Sequence, residues 1–198
     1  DSAGQMVHHL ADKRCENFKT CGPTGGATDG TSQVNTELFA LFASGRDLLQ
    51  EGHCAKVRPV IDQIVSLMTV PLVQGTLRYA WKVGVTGGEA NDDSSQTPKN
   101  KAEGATFAAA VLPLVHYCNH KSATIVSDHM KFGADAPTTA DVKSALEDTY
   151  ACLGITCAHV GELMNGTAPY TGMEKCTPGD TGSATIAGYF PGSDVTQH

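Results

Sequence analysis

The chain has 198 residues, enough for one sizeable core, and is 40% hydrophobic and 18% charged. Its formal charge of −7 argues against nucleic acid or an anionic membrane surface as the main partner, because both demand a basic face, and is compatible with cations. No stretch approaches the roughly 20 apolar residues of a membrane span, so none is expected, and Asp1 in place of an initiating methionine suits a mature or trimmed chain.

Residues 1–33 read as irregular, with two cysteines and the Gly-rich CGPTGGATDGTS. His8, His9 and Asp12 resemble a metal-sticky tract in a disordered terminus. Asn35 or Thr36 can cap a first helix over TELFALFASGRDLLQEG, whose inner stripe is Leu38, Phe39, Leu41, Phe42, Leu48 and Leu49, stopped at Gly52. The second helix runs from about 55 to 83; Pro59 fits its first turn and Pro71 should kink it. A polar Gly/Ser/Asp-rich loop follows. The third helix, over roughly 98–119, is apolar on every side of its wheel, which predicts burial all round. A fourth spans about 121–132. A fifth covers ADVKSALEDTYACLG behind Thr138 or Thr139, and a short sixth lies in CAHVGELMNG. No segment alternates convincingly, so no sheet is predicted. The expectation is a single all-α domain: an antiparallel helical bundle over 34–165 with two proline-kinked central helices, flanked by irregular disulfide-tied termini at 1–33 and 166–198.

The seven cysteines include no C-x-x-C pair and suggest a disulfide framework in an exported protein. The short loops Cys15–Cys21 and Cys152–Cys157 are the easiest pairs, and Cys54 and Cys118, both at helix ends, could meet. Asn165-Gly166-Thr167 is an N-glycosylation sequon.

Chemistry is sparse. VPLVQ (70–74) and LPLVH (112–116) place Gln74 and His116 three residues past a proline in each central helix. Antiparallel helices would put them at similar heights around a pocket, or leave both satisfied by the carbonyls the prolines free. The same registry sets Glu103 level with Arg78 and Tyr79. Either a Glu–Arg pair fixes the packing, or a carboxylate, a phenol and an imidazole hold iron(III), with Arg78 binding an anion that completes its coordination. His116 and His120 have one-turn spacing, which suits a shared metal. Glu37 is a further ligand candidate. Asp128 and His129 form a reserve pair that could equally be a solvated surface pair. Glu103 and His116 lie 13 residues apart, about 20 Å along a helix, so two sites, or one site and a structural histidine, are expected. There is no Glu-x-x-His motif of the ferritin-like di-iron type, no G-x-S-x-G and no phosphate-cradling loop, and no catalytic residue is assigned.

The segments SLMTVPLVQGTLRYAWKVG and EGATFAAAVLPLVHYC resemble the low-iron-inducible periplasmic proteins of green algae, the iron-assimilation family related to a high-CO2-inducible extracellular protein. The likeness covers roughly 53–133 well and the flanks loosely. It implies a secreted module of the periplasmic or extracellular space that captures ferric iron, with carbonate as a candidate anion, and hands it to a cell-surface reductase or transporter; it carries over no ligand residue. The alternatives are a zinc enzyme acting on carbonate or CO2, and a structural cell-wall protein without metal.

Overall fold

The computed structural model describes residues 6–84, 98–135 and 137–182. The elements are α1 (Met6–Phe18), α2 (Gln33–Gln50), α3 (Cys54–Val83), α4 (Pro98–Cys118), α5 (His120–Met130), α6 (Thr139–Glu147), α7 (Tyr150–Leu153), α8 (Cys157–Val160), a hairpin of β1 (Met164–Asn165) and β2 (Ala168–Pro169), and a 3-10 turn at Pro178–Asp180. The fold is an all-α bundle, as expected. The small β1–β2 ladder, pairing Met164 with Pro169, corrects the expectation of no strand. The polar loop expected after α3 falls at 85–97, outside the described residues, as does the tail beyond 182.

The amino-terminal segment is not irregular. In α1, Ala11, Arg14, Cys15 and Phe18 are buried at helical spacing against α3, a period masked by the polar residues between them. Asp12 holds the helix to its neighbour: its Oδ1 accepts from the Ser32 amide and from Asn35 Nδ2, both at 2.8 Å. The Gly-rich stretch 21–30 turns through positive φ at Gly22, Gly25, Gly26 and Gly30, conformations that need glycine. The cap of α2 is Ser32, whose hydroxyl accepts from the Asn35 amide at 3.0 Å, in place of Asn35 or Thr36. Phe39, Phe42 and Leu49, predicted to face inward, are exposed.

Helix α3 is the central element and packs against α1, α2, α4, α6 and α8. Its carboxyl-terminal half, from Ser66 to Val83, is almost wholly buried. Contrary to the expectation above, it is long and apolar enough by length and composition to cross a membrane; 61% of the qualifying window is buried inside the fold. Both α3 and α4 run continuously through their internal prolines.

Helix α4 is not buried all round. Gly104, Ala108, Val111 and Val115 make a single buried stripe, whereas Ala109, Ala110, Pro113 and His116 face solvent. Alanine is the reason: it favours helix in either environment, so an alanine-rich helix looks apolar on every side without being buried there. Glycines set the close approach of α3 and α4. A Cβ on Gly75 would meet the Phe107 ring at 2.5 Å, and one on Gly104 would lie 3.0 Å from Tyr79 Cβ.

Three disulfides join Cys15 to Cys21, Cys118 to Cys152 and Cys157 to Cys176, and Cys54 is an exposed free thiol. Only the first was among the pairs expected. Cys54 and Cys118 do not pair: the fold carries Cys152 of α7 to the end of α4, and Cys157 joins Cys176, beyond the hairpin. Such a set of bridges suits an oxidising, extracellular type of environment.

Candidate functional site

Two polar groupings occupy opposite ends of α4. At its amino-terminal end, Gly104 lets the α4 backbone settle against Tyr79, and the neighbouring Glu103 reaches the same ring edge. The Tyr79 hydroxyl donates a hydrogen bond to Glu103 Oε2. Tyr79 is buried, and its ring stacks on Phe107 with centroids 5.7 Å apart. The Arg78 guanidinium carbon lies 5.4 Å from the Tyr79 ring centroid. Lys99 Nζ stands 3.9 Å from Glu103 Oε1, and the Glu103 side chain remains 38% exposed. The expected meeting of Glu103 with Tyr79 therefore occurs, and the carboxylate stays within reach of solvent.

A residue that the sequence did not single out completes this end. Arg14, from α1, is only 3% exposed. Burial, and then the like charge of Arg78, pull its pKa down to about 10, against the upward pull of Glu103 and Glu16. A buried arginine at helical spacing with Ala11, Cys15 and Phe18 was the available signal; in a segment taken as irregular it went unread.

At the other end, the imidazoles of His116 and His120 stack with centroids 4.0 Å apart and planes 16° from parallel. They do not share one helix. Asn119 breaks the chain between α4 and α5 and caps α5, its side chain accepting from the amides of Lys121 and Ser122. Both histidines are exposed. His116 also lines an open groove of about 470 Å³ between α4 and α5, with Leu112, Pro113, Thr124, Ser127 and Asp128.

The remaining candidates are dispersed. Gln74 makes no pocket with His116: it is buried and donates to Thr20 Oγ1 at 3.1 Å and to the Val160 carbonyl at 2.9 Å, tying α3 to α8. Glu37 accepts from Gln33 Nε2 at 2.7 Å and faces His159 Nε2 at 3.5 Å. Asp128 pairs with Lys131 at 2.9 Å, and that hydrogen bond holds its carboxyl below the usual range. His129 turns instead to Asp141, 3.8 Å away. Asn165 is exposed at the hairpin turn, where Gly166 has positive φ. His8 is ordered in α1, 3.6 Å from Asp12. Among the described residues no three His, Cys, Asp or Glu side chains converge as a metal cluster.

Comparison with protein-family models, curated proteins and solved structures finds no match in any of the three. The resemblance noted above rests on its quoted segments alone.

Proposed function

We propose that this is an exported protein that captures iron(III) outside the cytoplasm, with Tyr79 and Glu103 as its first protein ligands. The observation that carries the reading is the Tyr79 hydroxyl set directly on the Glu103 carboxylate. Deprotonated phenol and carboxylate are hard oxygen donors suited to a small trivalent cation, and one ion can replace the shared proton. Arg78, beside the phenol ring, would hold a carbonate-type anion in the remaining coordination positions. Three disulfides support export to a periplasmic or extracellular space, and the exposed Asn165 sequon offers a glycan acceptor there. Protonation of the ligands, or reduction to iron(II) by a cell-surface reductase, would release the ion to a transporter.

The test is titration of the metal-free protein with iron(III) supplied as its citrate complex. Stoichiometric uptake with a visible phenolate-to-iron band is expected. Tyr79→Phe removes the band, and Glu103→Ala weakens uptake by about 100-fold or more while far-ultraviolet circular dichroism is unchanged. Full uptake by both variants with the band intact would sink the assignment.

The stacked His116–His120 pair supports a second reading, in which the exposed imidazoles take a divalent ion such as zinc. Two imidazoles leave most coordination positions to water, so this site would bind weakly. His116→Ala with His120→Ala abolishes it without touching the iron band.

A further inference from the structure

We propose that Arg14 is an anion-binding residue of the α1–α3–α4 end in its own right, besides Arg78, and that it holds a small carboxylate or carbonate-type anion even in the metal-free protein.

A buried arginine must be paired. Its guanidinium stays protonated at neutral pH, and an ion taken out of water without partners is costly. Arg14 is 3% exposed, yet its Nε and Nη1 are both buried without a hydrogen-bond partner. The charges that act on it are Arg78, which repels, and Glu103 and Glu16, which attract. Neither carboxylate supplies a hydrogen bond to those two nitrogens. Glu103 is committed to the Tyr79 hydroxyl and approached by Lys99, and Glu16 is exposed. Other strongly buried side-chain nitrogens are met: Gln74 Nε2 and Asn35 Nδ2 each have two acceptors. A small oxyanion supplies both the missing acceptors and the missing charge. Planar guanidinium and planar carboxylate match in geometry, and such charge-assisted bonds are about twice as strong as neutral ones. This inference stands without the iron reading, because it concerns donors that are unmet before any metal arrives.

The experiment uses the full, oxidised chain stripped of metal by chelation. Carbon-13 acetate and carbon-13 bicarbonate are titrated in chloride-free buffer, with ionic strength held by a bulky sulfonate salt. Linewidths and the melting temperature are followed together. Saturable line broadening is expected, with a melting temperature about 4 °C higher at tenfold Kd. Arg14→Gln should weaken binding about tenfold or more. Glu103→Gln, which removes a competing negative charge, should tighten it about threefold or more. The proposal is overturned if neither anion gives saturable broadening, or if Arg14→Gln binds as the natural chain does. Should Arg14→Gln fail to fold, Glu103→Gln decides: unchanged or weaker binding overturns the proposal. No iron is present, so failure of iron capture leaves the outcome intact, and the reverse also holds.

Discussion

Replacing both Cys118 and Cys152 by alanine isolates the bridge that anchors the carboxyl end of α4 to α7. The bridge spans 34 residues. In the chain-entropy picture, opening a loop of that size frees the unfolded chain by about 3.8 kcal/mol at 25 °C. Cys152 is buried, and alanine leaves only a sulfur-sized void there, so entropy dominates the change. For a domain of this length the loss corresponds to a fall of about 8–15 °C in melting temperature. Thermal and urea unfolding of the oxidised double variant, followed by far-ultraviolet circular dichroism, measures it. Changing the pair together leaves the other two bridges formed, which reduction of the natural chain would not. Because Tyr79 and Glu103 sit at the opposite end of α4, affinity there, measured well below the transition, should stay within about twofold. A stability loss below about 1 kcal/mol would refute the loop-entropy reasoning.

Other substitutions test separate parts of the fold. Tyr150 is fully buried and its hydroxyl has no partner, and burial pushes its pKa well up; Tyr150→Phe should be neutral or stabilising by about 1 kcal/mol in urea unfolding, and a clear loss would reveal a partner for the hydroxyl. Gly75→Ala drives a methyl into the Phe107 ring. An overpacking cost of about 1–3 kcal/mol should exceed the helix-propensity gain of about 1 kcal/mol, with a change in the near-ultraviolet signal of the stacked Tyr79, and a net gain in stability would contradict the close approach. Burial holds the Glu147 carboxyl above its usual range even though Lys143 pairs with it at 2.6 Å. Lys143→Met should raise that pKa further. A carboxyl with a raised folded pKa costs stability above that pKa and nothing below the unfolded value of about 4.3. The variant should therefore be weaker than the natural chain at pH 7 and converge on it as pH falls towards 4, and a pH-independent difference would refute the charge argument. Cys54→Ser, at an exposed free thiol, should leave the melting temperature unchanged.

The helices that the sequence predicts best are those with a long apolar period, and α3 matches its expected span almost residue for residue. The period locates the helix but not its buried face: of the stripe expected from sequence, Val57, Val60, Ile61, Ile64, Val65, Met68 and Leu72, only Val57 is fully buried and Ile61 is exposed, while Leu67, Val70 and Val73 fill the core. The meeting of Tyr79 with Glu103 was also legible. Two antiparallel helices joined by one loop have a fixed registry, so residues equally far from the loop come level.

What sequence could not decide is which face of each helix meets a neighbour. Alanines made α4 look buried all round, although His116 lies in solvent, and Phe39 and Phe42 looked like core although they are exposed. Hydrophobic character limits where a residue can go; the partner surface selects among the faces. The same holds for the disulfides: only Cys15–Cys21 closes locally, whereas Cys118–Cys152 and Cys157–Cys176 depend on how helices far apart in sequence are stacked. Arg14 is the sharpest case. Composition places an arginine on the surface, and only the docking of α1 against α3 buries it beside Arg78 and leaves its donors unmet. Local periodicity thus determined the helices and the Tyr79–Glu103 registry, while long-range packing, which no short window of sequence encodes, decided burial, bridging and the charge of the interior.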